Sequence, residues 1–289
     1  MIAVILVGGQ GTRLWPLTEW LPKPMLPIAN RPFLEHQIDH LRAHGIDRVI
    51  LSCGYMPDAI QEHFGDRLEY VVEDHPLGTG GAIENAARGL RDTFVVCNGD
   101  ILTELDLTAM VGFHRSRRAQ ATIALHQVED PSRYGLVRTD ERGAVSAFIE
   151  KPQPGERDVD TINAGTYVME PGVLRLIAPG ATVSVEREVF PRLVDNGLYA
   201  RTDAGSWIDI GTPDTYLAAN LQQMPDGGLV DPTASVDAGA TVKDSVVGPG
   251  ARVAAGAVVE RSVLLPGARV TGGMVVEERV VGMDGEFVW

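Results

Sequence analysis

From residue 229 onward an aliphatic side chain returns close to every six positions: Val230, Val236, Val242, Val247, Val253, Val259, Leu265 and, slightly out of phase, Val270. Glycines and small residues fill the gaps. A period near six signals a β-helix, in which each hexad forms one face and the aliphatic residues stack inside. About 60 residues at roughly three hexads per coil gives about three coils. The turn-rich stretch Met224-Pro225-Asp226-Gly227-Gly228 is the natural boundary. It divides the chain into a first domain, residues 1–224, and a β-helix domain, residues 229–289. After Val270 the pattern loosens, and Met274, Val275, Val276, Phe287 and Trp289 offer a cap or a subunit contact. A homo-oligomer, dimer or tetramer, is the expectation.

The 289 residues are enough to bury a substantial core. A net charge of −14 argues against broad binding to nucleic acid, which needs a basic face. Any phosphate site must therefore be a local basic pocket. No basic leader or cleavage site opens the chain and no apolar run approaches membrane-spanning length, so a cytoplasmic protein without a membrane partner is expected. Cys53 and Cys97 end apolar runs, where an unbridged thiol packs as a small hydrophobe.

Residues 2–7 read as a buried strand that runs directly into Gly8-Gly9-Gln10-Gly11-Thr12-Arg13. Glycines let backbone N–H groups approach a ligand closely, which suits phosphate, and Arg13 and Lys23 add full positive charge. The spacing is not that of a P-loop, and the prolines that follow exclude an immediate helix. Strands and helices then alternate. A helix is expected over residues 32–44, with Leu34, Ile38 and Leu41 inward and His36, His40 and His44 on a solvated face. Strands follow at 48–53 and 68–72, with a helix at 57–64 between them. The run Pro76-Leu77-Gly78-Thr79-Gly80-Gly81-Ala82 opens a helix whose free N–H groups and small residues suit a flat or anionic ligand. The strand 94–97 delivers Asn98-Gly99-Asp100 to the same sheet edge, where ligands of open α/β sheets bind. Shorter strands at 121–126, 134–138 and 145–150 read as an antiparallel add-on suited to covering a second substrate. Beyond them come a strand at 161–169, a helix at 183–194, the segment Trp207-Ile208-Asp209-Ile210-Gly211 and a helix at 213–222.

The opening loop with Leu21-Pro22-Lys23-Pro24-Met25-Leu26-Pro27 resembles the signature of the sugar-1-phosphate nucleotidyltransferases, and the resemblance runs through nearly all of residues 1–222. It implies an α/β fold: a Rossmann-like mixed sheet followed by a short left-handed β-helix of hexapeptide repeats. It also implies that a nucleoside triphosphate and a sugar 1-phosphate are the partners. Gly8, Gly9, Gly11, Thr12 and Arg13 would hold the triphosphate and Lys23 would contact phosphate at the reacting centre. Gly78, Thr79 and Gly81, with Glu73, would grip the base. The sugar side maps to Gly135, Glu150, Lys151 and Asn163, and Asp100 and Asp209 match the family's two metal carboxylates. Magnesium prefers such carboxylate oxygens together with phosphate and water. With so many anionic oxygens brought together, the reaction needs cations more than a covalent nucleophile.

Within the family, Pro-Leu-Gly-Thr-Gly-Gly, the run Ser184-Val185-Glu186-Arg187-Glu188-Val189-Phe190-Pro191 and a hexapeptide tail most resemble mannose-1-phosphate guanylyltransferases. Alternatives are a glucose-1-phosphate thymidylyl- or uridylyltransferase, or a guanylyltransferase for a heptose or cyclitol phosphate. Two further classes are a hexapeptide-helix acyltransferase and a regulatory homologue that binds nucleotide sugar without making it. The first generally wants a histidine base, and all seven histidines precede residue 127. The second tends to lose the arginine, lysine or aspartates kept here.

Overall fold

The computed structural model describes residues 1–149 and 159–282. Two compact units emerge: Met1–Gly9 with Gln37–Trp207, and Gln10–His36 with the chain from Ile208 onward.

Among the described residues the first unit is built on a nine-stranded sheet. Ile2–Val7 lies centrally, parallel to Arg48–Cys53 on one side and to Phe94–Asn98 on the other, and Glu69–Val72 extends the parallel set. Strands covered on both faces read as near-continuous apolar runs, which is why IAVILV and FVVC were legible. Thr161–Met169 then pairs antiparallel with Phe94–Asn98. Through it the sheet continues into Leu136–Thr139 and Val145–Ile149, and also into Ala121–Gln127 and Leu198–Thr202. The short strands expected as an add-on are thus part of the same sheet. Its core joins Val4, Phe94, Val96, Ile123, Tyr167, Met169 and Phe190.

Helix Phe33–Ala43 buries Leu34, Ile38 and Leu41 as its periodicity predicts. Its histidine face is only partly solvated, and His36, His40 and His44 are half-buried. His36 Nε2 lies 2.9 Å from the Ile28 carbonyl oxygen and His44 Nδ1 lies 2.9 Å from Thr108 Oγ1. The rings of His40 and His44 meet edge-on at 4.9 Å. Neighbouring segments cover this face, which no local pattern reveals. Among the described residues no three or more His, Cys, Asp or Glu come together as a metal-holding group. The helix expected at 183–194 is present over residues 185–193, but it opens as a π-turn, Val185–Val189, before the α-helix Phe190–Leu193. Pro191 has no N–H with which to continue an α-helical ladder backward. Cys53 and Cys97 are buried and unbridged, and burial pushes each thiol up to about 12. Among the described residues no helix is long and apolar enough to cross a membrane.

In the second unit the described residues of the tail form three parallel sheets of four, three and three strands. Each strand pairs with the one a coil later, as Leu229–Val230 with Val246–Val247 and that pair with Val263–Leu264. Ser262 N donates to Ser245 Oγ across a separation of 17 residues, so one coil holds 17 residues and not 18. The missing residue shifts the phase. Leu264, not Leu265, stands in register with Val247 and Val281, and Val270 is in phase with Val253. The first coil is open: Val230 is 47% and Val236 36% exposed. Phe287 and Trp289, expected in a cap, lie outside the described residues.

Long-range hydrogen bonds tie residues 10–36 into this unit. Tyr216 OH donates to the Pro27 carbonyl at 2.6 Å and Ala29 N donates to Asn220 Oδ1 at 2.9 Å. Asn30 Nδ2 donates to the Val247 carbonyl at 2.9 Å.

Candidate active site

In the second unit, the glycine loop turns at Gly11, whose φ of +64° is the left-handed region that favours glycine. Thr18 Oγ1 donates to the Gly11 carbonyl at 2.9 Å and the chain tightens into a 3-10 turn, Thr12–Leu14. A Cβ on Gly11 would come within 3.1 Å of Thr18 and 3.3 Å of Lys23, so the loop and the lysine pack closely. Lys23 is buried, held in the 3-10 turn Lys23–Met25. Its Nζ lies 3.8 Å from Asp209 Oδ1. Asp209 ends the strand Trp207–Asp209. A Cβ on Gly211 would lie 2.9 Å from both Arg13 Nη2 and Asp209 Oδ1. Arg13, Lys23 and Asp209, expected from three separate motifs, are thus brought together around Gly211. A buried lysine and an exposed arginine flanking one carboxylate supply concentrated positive charge within a chain of net charge −14.

In the first unit, Gly8 sits against Glu73: a Cβ there would be 3.3 Å from Glu73 Oε1. Ser52 Oγ donates to that oxygen at 3.1 Å and Leu77 N donates to Oε2 at 3.1 Å. Glu73 therefore anchors the entry to helix Gly78–Ala87. The N–H groups expected to be free at that helix start are not all available. Gly80 N and Gly81 N donate to the Val183 carbonyl at 2.8 and 3.3 Å. Gly78 has φ +68°, and a Cβ on it would lie 2.6 Å from the same carbonyl oxygen. The glycines thus admit the 181–185 segment, a partner too distant in sequence to be read from the motif. Thr79 Oγ1 donates to Glu186 Oε2 at 2.6 Å and accepts from Val185 N at 3.0 Å.

Two of the sugar-side motifs, those of Gly135 and Asn163, meet at a bulge in Thr161–Met169, whose register slips between Asn163 and Tyr167. Asn163 N donates to the Gly135 carbonyl at 2.9 Å. Its side chain is fixed at both ends: Gly165 N donates to Oδ1 at 3.0 Å and Nδ2 donates to Tyr167 OH at 2.9 Å. Gly165, at φ +72°, lets this bulge approach Asn98, whose Nδ2 would be 2.8 Å from an added Cβ. The Asn163 motif therefore abuts the Asn98-Gly99-Asp100 turn, on which Asp100 is half-buried. Glu150 and Lys151 lie outside the described residues. Sequence reasoning missed Tyr167 and the role of Glu186, since a tyrosine in a buried strand gives no signal of its own. Trp207 was also missed. Its Nε1 donates to the Ala164 carbonyl at 2.9 Å while its ring stacks on His126 at 5.5 Å.

Residues 2–224 match the nucleotidyl transferase family, and residues 227–286 match the GlmU-like C-terminal hexapeptide family. The mannose-1-phosphate guanylyltransferase of Mycobacterium tuberculosis is 45% identical over 268 residues, covering 83% of this chain and 74% of that protein. Mannose-1-phosphate guanylyltransferase 1 of Arabidopsis thaliana is 38% identical over 278 residues, covering 85% of this chain and 76% of its own. The crystal structure of HddC from Yersinia pseudotuberculosis complexed with GMP-PN has a TM-score of 0.66 and 32% identity, covering 76% of this chain and 98% of that one.

Proposed function

Since the chain belongs to the nucleotidyl transferase family and is a sugar-1-phosphate nucleotidyltransferase, we propose that it joins mannose 1-phosphate to GTP, giving GDP-mannose and pyrophosphate. The observation that carries the chemistry is the convergence of Arg13 and Lys23 on Asp209 and Gly211. The names of the relatives support mannose 1-phosphate, and the GMP-PN in the HddC structure supports a guanine nucleotide.

The reaction is an in-line displacement. A phosphate oxygen of mannose 1-phosphate attacks the α-phosphorus of GTP, the new P–O bond forms as the bond to the β-phosphate oxygen breaks, and pyrophosphate departs with that electron pair. The attacking oxygen is already ionised at neutral pH, so no general base is needed. Gly8, Gly9, Gly11 and Thr12 receive the triphosphate, while Arg13 and Lys23 stabilise charge developing on its oxygens. Gly78 and Gly81, on a segment held by Thr79 and Glu73, receive the base. Because the Thr79 hydroxyl is bonded to Glu186 and Glu73 anchors Leu77, these two act by shaping the segment. Gly135, Glu150 and Asn163 hold the sugar, and Lys151 orients the attacking phosphate.

Asp100 and Asp209 are the proposed ligands of Mg²⁺. Both are half-buried carboxylates on strand tips flanked by glycine, and Asp209 already faces cationic groups. A hard cation that takes one or two carboxylates and completes its shell with phosphate and water suits each of these carboxylates. When bound, it neutralises phosphate charge at the reacting centre. Residues 1–224 constitute the catalytic domain and residues 229–289 serve assembly into a dimer or tetramer.

Pyrophosphate release measured for four nucleoside triphosphates against several sugar 1-phosphates tests the reading. GTP with mannose 1-phosphate should give the highest kcat/KM; a preference for dTTP or UTP with glucose 1-phosphate, or for a heptose or cyclitol phosphate, would replace it. Tight GDP-mannose binding without pyrophosphate release from any pair would make the protein a regulator. Asp100→Asn should nearly abolish turnover while the fold persists.

A further inference from the structure

Gln37 lies on the buried side of helix Phe33–Ala43 and is only 8% exposed. Its Nε2 donates to the Asn98 carbonyl at 2.9 Å and to the Ile101 carbonyl at 2.8 Å. Those two carbonyls bracket Gly99-Asp100. One planar amide with two N–H groups thus ties both ends of the turn that carries Asp100. The orientation follows from chemistry, since the amide oxygen in that position would face two acceptors.

On its other side the same turn abuts the first strand. Gly99 N donates to the Leu6 carbonyl at 2.9 Å, and a Cβ on Gly99 would lie 2.5 Å from Leu6 O and 2.6 Å from Val7 Cγ1. The turn therefore has no room to relax toward Ile2–Val7, and Gln37 closes the opposite direction. The arrangement carries a cost. Gln37 Oε1 is buried and has no hydrogen-bond partner among the described residues. A buried acceptor left unsatisfied is unfavourable, and a side chain of similar shape without polar atoms avoids it. What the glutamine provides in return is the placement of Asp100.

We infer that Gln37 is a positioning residue for Asp100, fixing the turn so that the carboxylate is presented in one geometry. The inference rests on the reading of Asp100 as a metal ligand for its functional consequence, but not for its structural one. Groups that orient metal ligands from behind typically cost ten- to a hundredfold in affinity or activity when removed.

Two variants test it: Gln37→Met, which keeps the length and removes both donors, and Gln37→Glu, which keeps the shape and replaces the donors with acceptors. In the metal-free full-length protein, amide hydrogen exchange of the peptide spanning residues 98–103 should quicken in both while the strand Arg48–Cys53 keeps its protection. With GTP and no sugar phosphate, the dissociation constant for Mn²⁺, read by electron paramagnetic resonance, should rise about tenfold or more. kcat should fall by a similar factor, with KM for mannose 1-phosphate changed less than about twofold. If either folded variant keeps wild-type exchange in the turn and wild-type Mn²⁺ affinity, the inference fails. Asp100→Asn is the control. Unchanged Mn²⁺ binding in that variant overturns the metal reading, whereas weakened binding there with normal binding in Gln37→Met overturns the role of Gln37 alone.

Discussion

The hydroxyl of Thr79 lies 2.6 Å from Oε2 of Glu186, linking residues 107 apart in the chain. The same carboxylate accepts Ser184 Oγ at 2.7 Å and, through Oε1, Tyr167 OH at 3.4 Å. Tyr167 OH in turn accepts Asn163 Nδ2 at 2.9 Å. One continuous hydrogen-bond chain thus joins the segment proposed to receive the base to the asparagine proposed to hold the sugar. A carboxylate with several donors is well satisfied, and each bond to a charged group is worth more than a neutral one.

Thr79→Val removes the hydroxyl with little change of shape. It leaves Val185 N without its side-chain acceptor and Glu186 with one donor fewer. The expected loss is about 1–3 kcal/mol. Calorimetry should record a lowered Tm, and steady-state kinetics a raised KM for both GTP and mannose 1-phosphate. Thr79→Ser should restore most of both. A rise confined to the GTP KM would show that the chain of bonds does not reach the sugar side.

Lys23→Met tests the charge-compensating role. The lysine is buried and its Nζ stands 3.8 Å from Asp209 Oδ1, while its stem packs against Gly11. Removing one preorganised cation from a charge-stabilising site is expected to cost about 10²- to 10³-fold in kcat. Lys23→Arg should not rescue it, because the wider guanidinium does not reproduce a compact ammonium in a packed position. Single-turnover rates on saturating substrates provide the readout.

What the sequence made legible was local. Buried strands announced themselves as apolar runs, and Gly11 and Gly78 marked sharp backbone positions. What stayed hidden depends on partners far along the chain. Gly80 and Gly81 read as open N–H donors because Val183, which occupies them, is about a hundred residues away. Residues 10–36 read as a phosphate loop leading into a helix, with no local sign that Tyr216, Asn220 and Val247 tie them into the second unit. His36 and His44 read as solvated because the groups covering them come from other segments. The hexad phase slipped at Leu265 because only pairing between coils reveals a 17-residue turn.

The corrected phase has an energetic consequence. Leu264 is fully buried in line with Val247 and Val281, inside the stack that also holds Val253, Val259, Val270 and Val276. Leu264→Ala should cost about 2–5 kcal/mol, the range for truncating a core leucine. Hydrogen exchange should show the loss in the coils, residues 246–281, before it appears in Phe94–Asn98. Leu265→Ala, outside that stack, should cost less. Equal losses would argue that the stack does not discriminate the two positions.

Acid should destabilise the first unit through its histidines. Burial holds His114, His40 and His126 below the ordinary histidine range. His114 is 1% exposed, with Nδ1 2.8 Å from Thr122 Oγ1 and Nε2 3.1 Å from Glu170 Oε1. Glu170 favours the protonated ring, but desolvation outweighs it. A histidine whose folded pKa is depressed binds its proton more readily in the unfolded chain, so stability rises with pH in the window between the two values. The contribution is complete above the unfolded value of about 6.5 and is lost as pH falls from there through the folded value. Tm measured from pH 8 down to pH 5 should therefore hold level and then decline below about 6.5. His114→Gln removes one such group, and the decline in that variant should be shallower by up to one proton's worth of slope, about 1.4 kcal/mol per pH unit. An unchanged slope would assign the acid response to His40, His126 or the carboxylates instead.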